Sequence, residues 1–299
     1  MCIRDRNKLA TLPSGVLLSL STIDPDIKTN YAMQTNLQID HQITRRLSAS
    51  VGYLRTRGIH IIMNRNLNVP TLTAGQDPVN LGRPNPNFAN ITQYSGQGDS
   101  YYNGLTAAVQ HRSAAWATFR MSYAFSKAMD NTGNAFFSGP QNQFNIRDDR
   151  SLSDNNQTHR LTLSGQLIAP RRMTNGVLYK IVEGFQLSPI FTYGSPYPFN
   201  IVTGAQTIQT TGARLPGVGR NTGVGFNSET LDVRLSRQIR ATERVNVEFL
   251  AESFNVLNHT NLQFPNNTWG TGATPLPTFG KATAASDPRQ MQLGLKVSF

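Results

Sequence analysis

The feature that most constrains this chain is an alternation of apolar and polar residues that recurs along its length. In TNYAMQTNLQID, for example, Met33, Leu37 and Ile39 are separated by polar residues. Successive side chains of a β-strand point to opposite sides, so each such segment predicts a strand with one apolar face. Nine segments alternate in this way, at about residues 29–40, 47–56, 105–110, 117–126, 160–167, 185–193, 231–236, 245–252 and 290–299, and a weaker tenth at 12–21. The fold is therefore predicted to be all-β.

Composition excludes several classes of protein. The single cysteine among 299 residues, Cys2, allows no internal disulfide and no cysteine-based zinc cluster. The longest apolar candidate, GVLLSL at residues 15–20, is far shorter than the roughly 18 residues of a transmembrane helix. The net charge of +11 comes from arginines scattered along strands and loops rather than clustered. No nucleic-acid partner is predicted.

The connections between the predicted strands alternate in length. Short links are expected near residues 41–44, 113–115, 169–183 and 240–243, and long ones at about 58–100, 128–157, 196–229 and 257–288. Outer-membrane barrels have this pattern, because their turns are short on the periplasmic side and their loops are long outside. The sequence therefore favours an antiparallel transmembrane β-barrel. A soluble secreted β-protein is the alternative.

The C-terminal segment RQMQLGLKVSF keeps the alternation to the last residue. Its apolar positions are Met291, Leu293, Leu295, Val297 and Phe299. In a barrel this parity faces lipid and the polar parity faces the lumen, because lipid solvates neither backbone edges nor charges. In a sandwich the same segment would be an edge strand.

Several stretches resemble the TonB-dependent outer-membrane receptors, specifically the Oar-like group with a carboxypeptidase-regulatory-like domain. They are YAMQTNLQIDHQI, YYNGLTAAVQHR followed by FRMSYAFSKAMDN, THRLTLSGQLIAP, LDVRLSRQIR, ERVNVEFLAESFNVLNHTNLQFP and FGKATAASDPRQMQLGLKVSF. The resemblance implies that the chain is the C-terminal 9–10 strands of a barrel of about 22 strands. It also implies that the barrel-assembly machinery reads the five apolar positions of the terminal strand.

The resemblance sets the expected organisation and partners. Residues 1–28 are expected to be a fragment start with a first strand, and residues 29–299 the C-terminal part of the barrel. The opening MCIRDR at 1–6 is interpreted, from its own sequence, as not native. The family's plug and TonB-binding segment would precede this chain. The implied location is the outer membrane of a Gram-negative bacterium, in contact with lipid and lipopolysaccharide, with TonB reached through the missing N-terminal region.

Motifs for catalysis or cofactor binding are not found. GxSxG, HExxH and GxxxxGK[ST] do not occur, and GVGRNTGVG at residues 217–225 is interpreted as a flexible loop. The five histidines are never within five residues of one another, so no metal site is predicted. The chain is predicted to be no enzyme and to hold no cofactor.

Two polar clusters are candidates for ligand contact. In RDDRSLSDNNQTHR, the carboxylates Asp148, Asp149 and Asp154 lie beside arginines, and salt bridges at the loop's return to its strand are the alternative role. In FNVLNHTNLQFP, Asn258 and His259 stand where a strand opens into a loop, with structural turn chemistry as the alternative. An aromatic girdle is expected from residues near strand ends: Tyr53, Tyr101, Tyr102, Tyr123, Tyr193 and Phe254.

The predicted function is TonB-dependent uptake of a scarce extracellular nutrient, a small or oligomeric substrate whose identity the loops do not encode. A passive porin or a surface adhesin is the alternative within the barrel class. The upstream sequence distinguishes them, because only the transporter needs a plug and a TonB-binding segment.

Overall fold

The computed structural model describes residues 17–70, 82–113, 116–133, 139–169, 183–204, 214–215 and 217–299. Its strands are β1 (Leu18–Ile23), β2 (Tyr31–Thr44), β3 (Leu47–Asn66), β4 (Phe88–Ser113), β5 (Ala117–Asp130), β6 (Ser151–Leu152), β7 (His159–Ile168), β8 (Phe185–Gly194), β9 (Pro198–Phe199), β10 (Gly223–Val224), β11 (Ser228–Arg240), β12 (Asn246–Phe254), β13 (Leu262–Pro265), β14 (Ala282–Ala285) and β15 (Gln290–Ser298). A 3-10 helix, η1, spans Ile146–Asp149. None of the helical structure in these ranges is long and apolar enough to cross a membrane.

Nine long strands form one antiparallel meander. Their spatial order is β2-β3-β4-β5-β7-β8-β11-β12-β15, which is also their order along the chain. Each of these strands contains one of the nine alternating segments, and every ladder between them is antiparallel. The predicted all-β antiparallel fold is confirmed.

The first strand departs from the meander. β1 pairs in parallel with the beginning of β4, from Leu18 opposite Phe88 to Ile23 opposite Tyr94. The weaker tenth segment at 12–21 lies outside the described residues up to position 16, and its remainder falls in this strand. β1 therefore pairs with the first part of β4 and is not a tenth strand of the meander.

Strands β3 and β4 are longer than the alternation suggests. The loop expected at 58–100 shrinks to residues 67–87, because β3 runs for 20 residues and β4 for 26. The sequence IHII breaks the alternation of β3, and the ladder absorbs the break by register shifts on both sides of Ile61. His60 has a φ of 59° at the first shift. Past the shifts, Met63 is buried.

The connections have the predicted arrangement of lengths. Short ones at residues 45–46, 114–116, 169–184 and 241–245 alternate with long ones at 67–87, 131–158, 195–227 and 255–289. Because adjacent strands are antiparallel, all short connections lie at one end of the sheet, here called the short-turn end, and all long ones lie at the other, the long-loop end. The long connections contain η1, β6, the β9–β10 pair and the β13–β14 hairpin.

The register gives the sheet one apolar and one polar face. One outward row, each member opposite the next, is Ala49, Val109, Met121, Leu163, Phe191 and Leu231. A row of the other parity is Ser50, Ala108, Ser122, Thr162, Thr192 and Thr230. Among the described residues, the apolar side chains that are buried are Met63, Val69 and Ala117. Within the described residues, the apolar face is therefore not buried in a hydrophobic core.

Candidate functional site

The apolar face has the height of a membrane core. On β5 the apolar parity runs from Ala117 to Phe125, and the next residue of that parity is Lys127. Eight steps of about 3.4 Å span about 27 Å along the strand, and a tilt of about 40° reduces the height to about 21 Å. The lipid-facing band of outer-membrane barrels is about 25 Å tall. The two heights agree, so the exposed apolar side chains of this face are suited to contact with lipid.

Aromatic side chains lie at both borders of this band. At the long-loop border, the Tyr53 hydroxyl donates to Asn103 Oδ1 at 2.9 Å. The Tyr123 hydroxyl lies 2.7 Å from His159 Nδ1, and Tyr193 stands in the same outward row as Tyr123. These polar tips and apolar rings suit the boundary between lipid and headgroups.

The sequence prediction of this girdle is incomplete. Tyr102 and Phe254 have the opposite parity, opposite Thr56 and Gln290, so they lie on the polar face and are not girdle residues. At the short-turn border lie the exposed Trp116 and the half-buried Phe185, which the sequence analysis did not assign to the girdle. Trp116 falls in a turn, where a period-two pattern carries no information.

The polar face carries an ion-pair network. Arg234 of β11 lies 3.5 Å from Glu252 and 3.9 Å from Glu248, both on β12. Gln292 of β15 donates to the same Glu252. These side chains remain partly exposed, so their charges stay solvated. A face of this kind suits the water-filled or protein-filled interior of a barrel.

A buried ion pair joins two long connections. Asp149, at the end of η1, is buried and binds the Arg214 guanidinium from the connection after β8. The backbone N–H of Gln141 donates to Asp149 Oδ2 at 2.8 Å, and Gln141 Oε1 accepts from the Arg214 backbone N–H at 2.9 Å. The loop after β5 and the loop after β8 are therefore held together through one carboxylate.

Arg220 makes a second link between the same connections. Its buried guanidinium binds the Asp130 carboxylate, lies 3.3 Å from Asp154 Oδ1 and donates to the Asp149 carbonyl at 3.3 Å. The neighbouring Asn221, with a φ of 54°, donates to Asp154 Oδ1 at 2.6 Å. The GVGRNTGVG segment is thus anchored at Arg220 and Asn221, and its interpretation as a flexible loop is wrong there.

The three carboxylates predicted from the sequence have different partners in the structure. Asp149 and Asp154 are in salt bridges, but with arginines 65 and 66 residues away rather than with their sequence neighbours. Asp148 is exposed and accepts from the Asn145 amide at 2.7 Å. The neighbouring Arg150 lies over the Tyr101 ring, 5.0 Å from its centroid.

The second predicted cluster forms the corner after β12. Buried Asn255 donates to the His259 carbonyl at 2.9 Å and accepts from the His259 backbone N–H at 3.0 Å. Asn258 has a φ of 53° and accepts from the Arg289 backbone N–H at 3.0 Å. The His259 ring lies 3.2 Å from Glu229. Asn258 and His259 are exposed. The Asn258 side-chain oxygen and the His259 backbone perform the turn chemistry expected of this segment.

A cleft of about 540 Å³ opens beside Asp154 at the long-loop end. Its lining includes Tyr197, Phe199, Phe226 and Phe264 together with Asn155 and Gln263. Concave sites lined by aromatic side chains with a few polar groups are typical of small-molecule sites. Within the described ranges, no three His, Cys, Asp or Glu side chains are grouped to hold a metal ion.

The terminal strand is uncovered. β15 pairs with β12, and within the described residues its other edge has no partner. Leu293 is 87% exposed and Phe299 is 98% exposed. The apolar positions Met291, Leu293, Leu295 and Val297 lie opposite Ser253, Ala251, Phe249 and Val247, on the outward face.

The sequence places the chain in a family. Residues 4–218 and 213–292 match the family described as the outer membrane β-barrel domain. This match covers most of the chain, so the chain belongs to that family and is integral to the outer membrane. The alternative of a soluble secreted protein is wrong.

Solved structures of transporters have a similar fold. The outer membrane transporter YddB from Escherichia coli aligns with a TM-score of 0.60 and 14% identity, over 95% of this chain and 34% of that one. The ferric enterobactin receptor PfeA from Pseudomonas aeruginosa gives 0.53 and 12%, over 91% and 31%. The FrpB iron transporter from Neisseria meningitidis gives 0.51 and 13%, over 94% and 32%.

The chain spans about a third of the length of these structures. Their identity to it is low, so they establish the fold of the sheet and its barrel character. No curated protein matches the chain by sequence.

Proposed function

We propose that this chain is the C-terminal part of a TonB-dependent transporter of the Oar-like group, which takes up a scarce nutrient across the outer membrane. The observation that carries this proposal is the fit of nearly the whole chain, with a TM-score of 0.60, to one third of an outer membrane transporter. The sequence resemblance to the Oar-like group supports the same assignment.

The two edges of the sheet support the view that further strands complete the barrel. Within the described residues, β2 is paired only with β3, and β15 only with β12. An open sheet edge in lipid leaves backbone groups unsatisfied, at a cost of several kcal/mol for each group. In a barrel of about 22 strands, the remaining strands would pair with both edges.

The mechanism assigns a role to each surface. The long loops and the cleft bind the substrate outside, and the polar face with Arg234, Glu248 and Glu252 lines the interior that a plug domain occupies. TonB, engaged by a segment upstream of this chain, supplies the energy that rearranges the plug. The barrel wall described here contributes binding and enclosure.

Among the predicted contact residues, exposure favours Asp148, Asn258 and His259 as those that reach a substrate. Asp149 and Asp154 hold the loops in place, because their carboxylates are already engaged by arginines. The assembly machinery would bind the apolar positions of β15, while lipid and lipopolysaccharide contact the outward face.

The test is TonB-dependence of uptake by the complete protein. Cells that depend on this gene for growth on a limiting nutrient are compared with and without functional TonB. Growth that requires both supports the transporter. Uptake that is unchanged without TonB would identify a passive porin, and binding without uptake would identify an adhesin.

A further inference from the structure

An apolar groove crosses the outward face, beginning near the short-turn end on β4 and β5 and continuing to β11. It has a volume of about 360 Å³ and lies across β4, β5, β7, β8 and β11. Its walls are Val109, Phe119, Met121, Leu163, Phe191 and Leu231. Every one of these side chains has outward parity, so the groove opens toward the membrane. An elongated apolar notch of this kind fits a hydrocarbon chain.

The floor of the groove is a local break in the sheet. The β7–β8 ladder pairs Ser164 with Ile190 and Leu167 with Leu187, but not the residues between. Pro189 has no N–H to donate there. Gly165 has no side chain, and a Cβ on it would stand 3.2 Å from Phe119 Cδ1. A proline and a glycine together therefore create the depth of the groove, and the Phe119 ring bounds it.

A group of cations lies at the membrane-boundary end of the groove. His111 lines the groove and is opposite Leu47, which directly follows the turn that contains Arg45 and Arg46. The Arg112 backbone N–H donates to the Arg46 carbonyl at 2.8 Å, so this turn adjoins the end of β4. Arg45 and Arg46 are exposed, and residues 44–47 contain no acidic residue. Arg112 has the parity of Gln110 and Thr118 on the polar face, so it is not counted among these cations.

We infer that the groove and the neighbouring Arg45 and Arg46 form a binding site for an anionic glycerophospholipid. The acyl chain occupies the groove, and the phosphate is held by the guanidinium groups, which match its oxygens in pairs. The excess of positive charge selects a lipid with net negative charge over a zwitterionic one. This inference depends on the membrane position of the sheet and not on the transport proposal.

The test uses the full-length protein, delipidated in detergent and titrated with phosphatidylglycerol, phosphatidylethanolamine or lipid A, with bound lipid counted by native mass spectrometry. We expect phosphatidylglycerol to bind most tightly. Arg45→Gln with Arg46→Gln should weaken its binding roughly fivefold for each arginine, with little effect on phosphatidylethanolamine. Gly165→Val, which fills the groove, should weaken the binding of both phospholipids.

The matched control is Arg55→Gln with Lys127→Gln. These two exposed cations have outward parity and lie beyond the long-loop border of the band. Replacing them removes the same amount of charge at the opposite border from Arg45 and Arg46. Equal affinity of the wild type for the two phospholipids, or an equal loss in the control, would overturn the inference. So would tightest binding of lipid A, or unchanged binding in folded Gly165→Val. The arginine variants decide the question if Gly165→Val does not fold.

Discussion

At the scale of single residues, the loops depend on partners that are far apart in sequence. Asp149 and Asp154 are visible in the sequence as a carboxylate cluster with two possible roles. Their actual partners, Arg214 and Arg220, lie in a glycine-rich segment that has no periodicity. Neither spacing nor composition identifies such pairs, because the two connections are brought together only when β5 to β11 align in one sheet.

Replacing Arg220 should loosen the long-loop end without unfolding the barrel. Arg220→Ala leaves the Asp130 carboxylate, with 13% of its side chain exposed, without its guanidinium partner. Removing one member of a buried ion pair costs about 3–5 kcal/mol. We expect proteinase K to cleave the long loops of intact cells faster in this variant. Exposed Arg147→Ala is the control, and identical cleavage of both variants would contradict the locking role.

The two faces of β12 can be tested by one pair of neighbours. Phe249→Arg puts a charge on the outward face, where arginine costs about 2–4 kcal/mol at the bilayer midplane. Glu248→Gln changes a residue of the polar face, which tolerates polar side chains. Folded full-length protein in outer-membrane fractions should fall for Phe249→Arg and stay close to wild type for Glu248→Gln. Equal levels of the two variants would overturn this assignment of the faces.

At the scale of elements, alternation predicts a strand only while the register is regular. The nine segments are visible in the sequence because their side chains keep one parity across the membrane band. The extension of β3 beyond Thr56 is not, since IHII places apolar residues at consecutive positions. The structure accommodates it with bulges around Ile61, which reset the parity. Sequence patterns therefore define the membrane-spanning part of a strand better than its extension outside.

The terminal strand allows a test of register against composition. Phe299→Ser removes the last ring and leaves the rest of β15 intact. Deletion of Ser298 keeps the ring but shifts it out of parity with Val297 and Leu295. If the assembly machinery reads both features, each change should reduce the heat-modifiable folded band of the complete protein. Wild-type amounts of folded protein in both variants would contradict the assembly-signal prediction.

At the scale of the whole molecule, the two ends of the sheet differ in kind. The connections at the short-turn end are shorter, and those at 45–46 and 241–245 contain exposed arginines. The long-loop end contains β6, the β9–β10 pair and the β13–β14 hairpin, and buried ion pairs join the connections after β5 and β8. This polarity follows from the alternation of loop lengths, which the sequence predicts. Because outer-membrane barrels have short periplasmic turns and longer extracellular loops, we expect the long-loop end to face outside.

Cysteine labelling can establish that orientation. In a full-length variant whose native cysteines are replaced, an impermeant maleimide should label Asn87→Cys and Ala273→Cys on intact cells. Both positions are exposed in long connections, whereas exposed Glu243 lies in the short turn after β11. Glu243→Cys should react only after the outer membrane is permeabilised. Labelling of Glu243→Cys alone on intact cells would invert the topology.

The β13–β14 hairpin offers a use beyond uptake. It forms a two-stranded sheet separate from the barrel wall, and residues 271–278 at its tip are all exposed. Its base is held independently of the tip, because the Asn261 side chain bonds Glu229 through both its amide oxygen and its amide nitrogen. A foreign peptide grafted between Gly272 and Ala273 would therefore be presented as an antibody epitope on living cells, while the wall beneath it keeps its register.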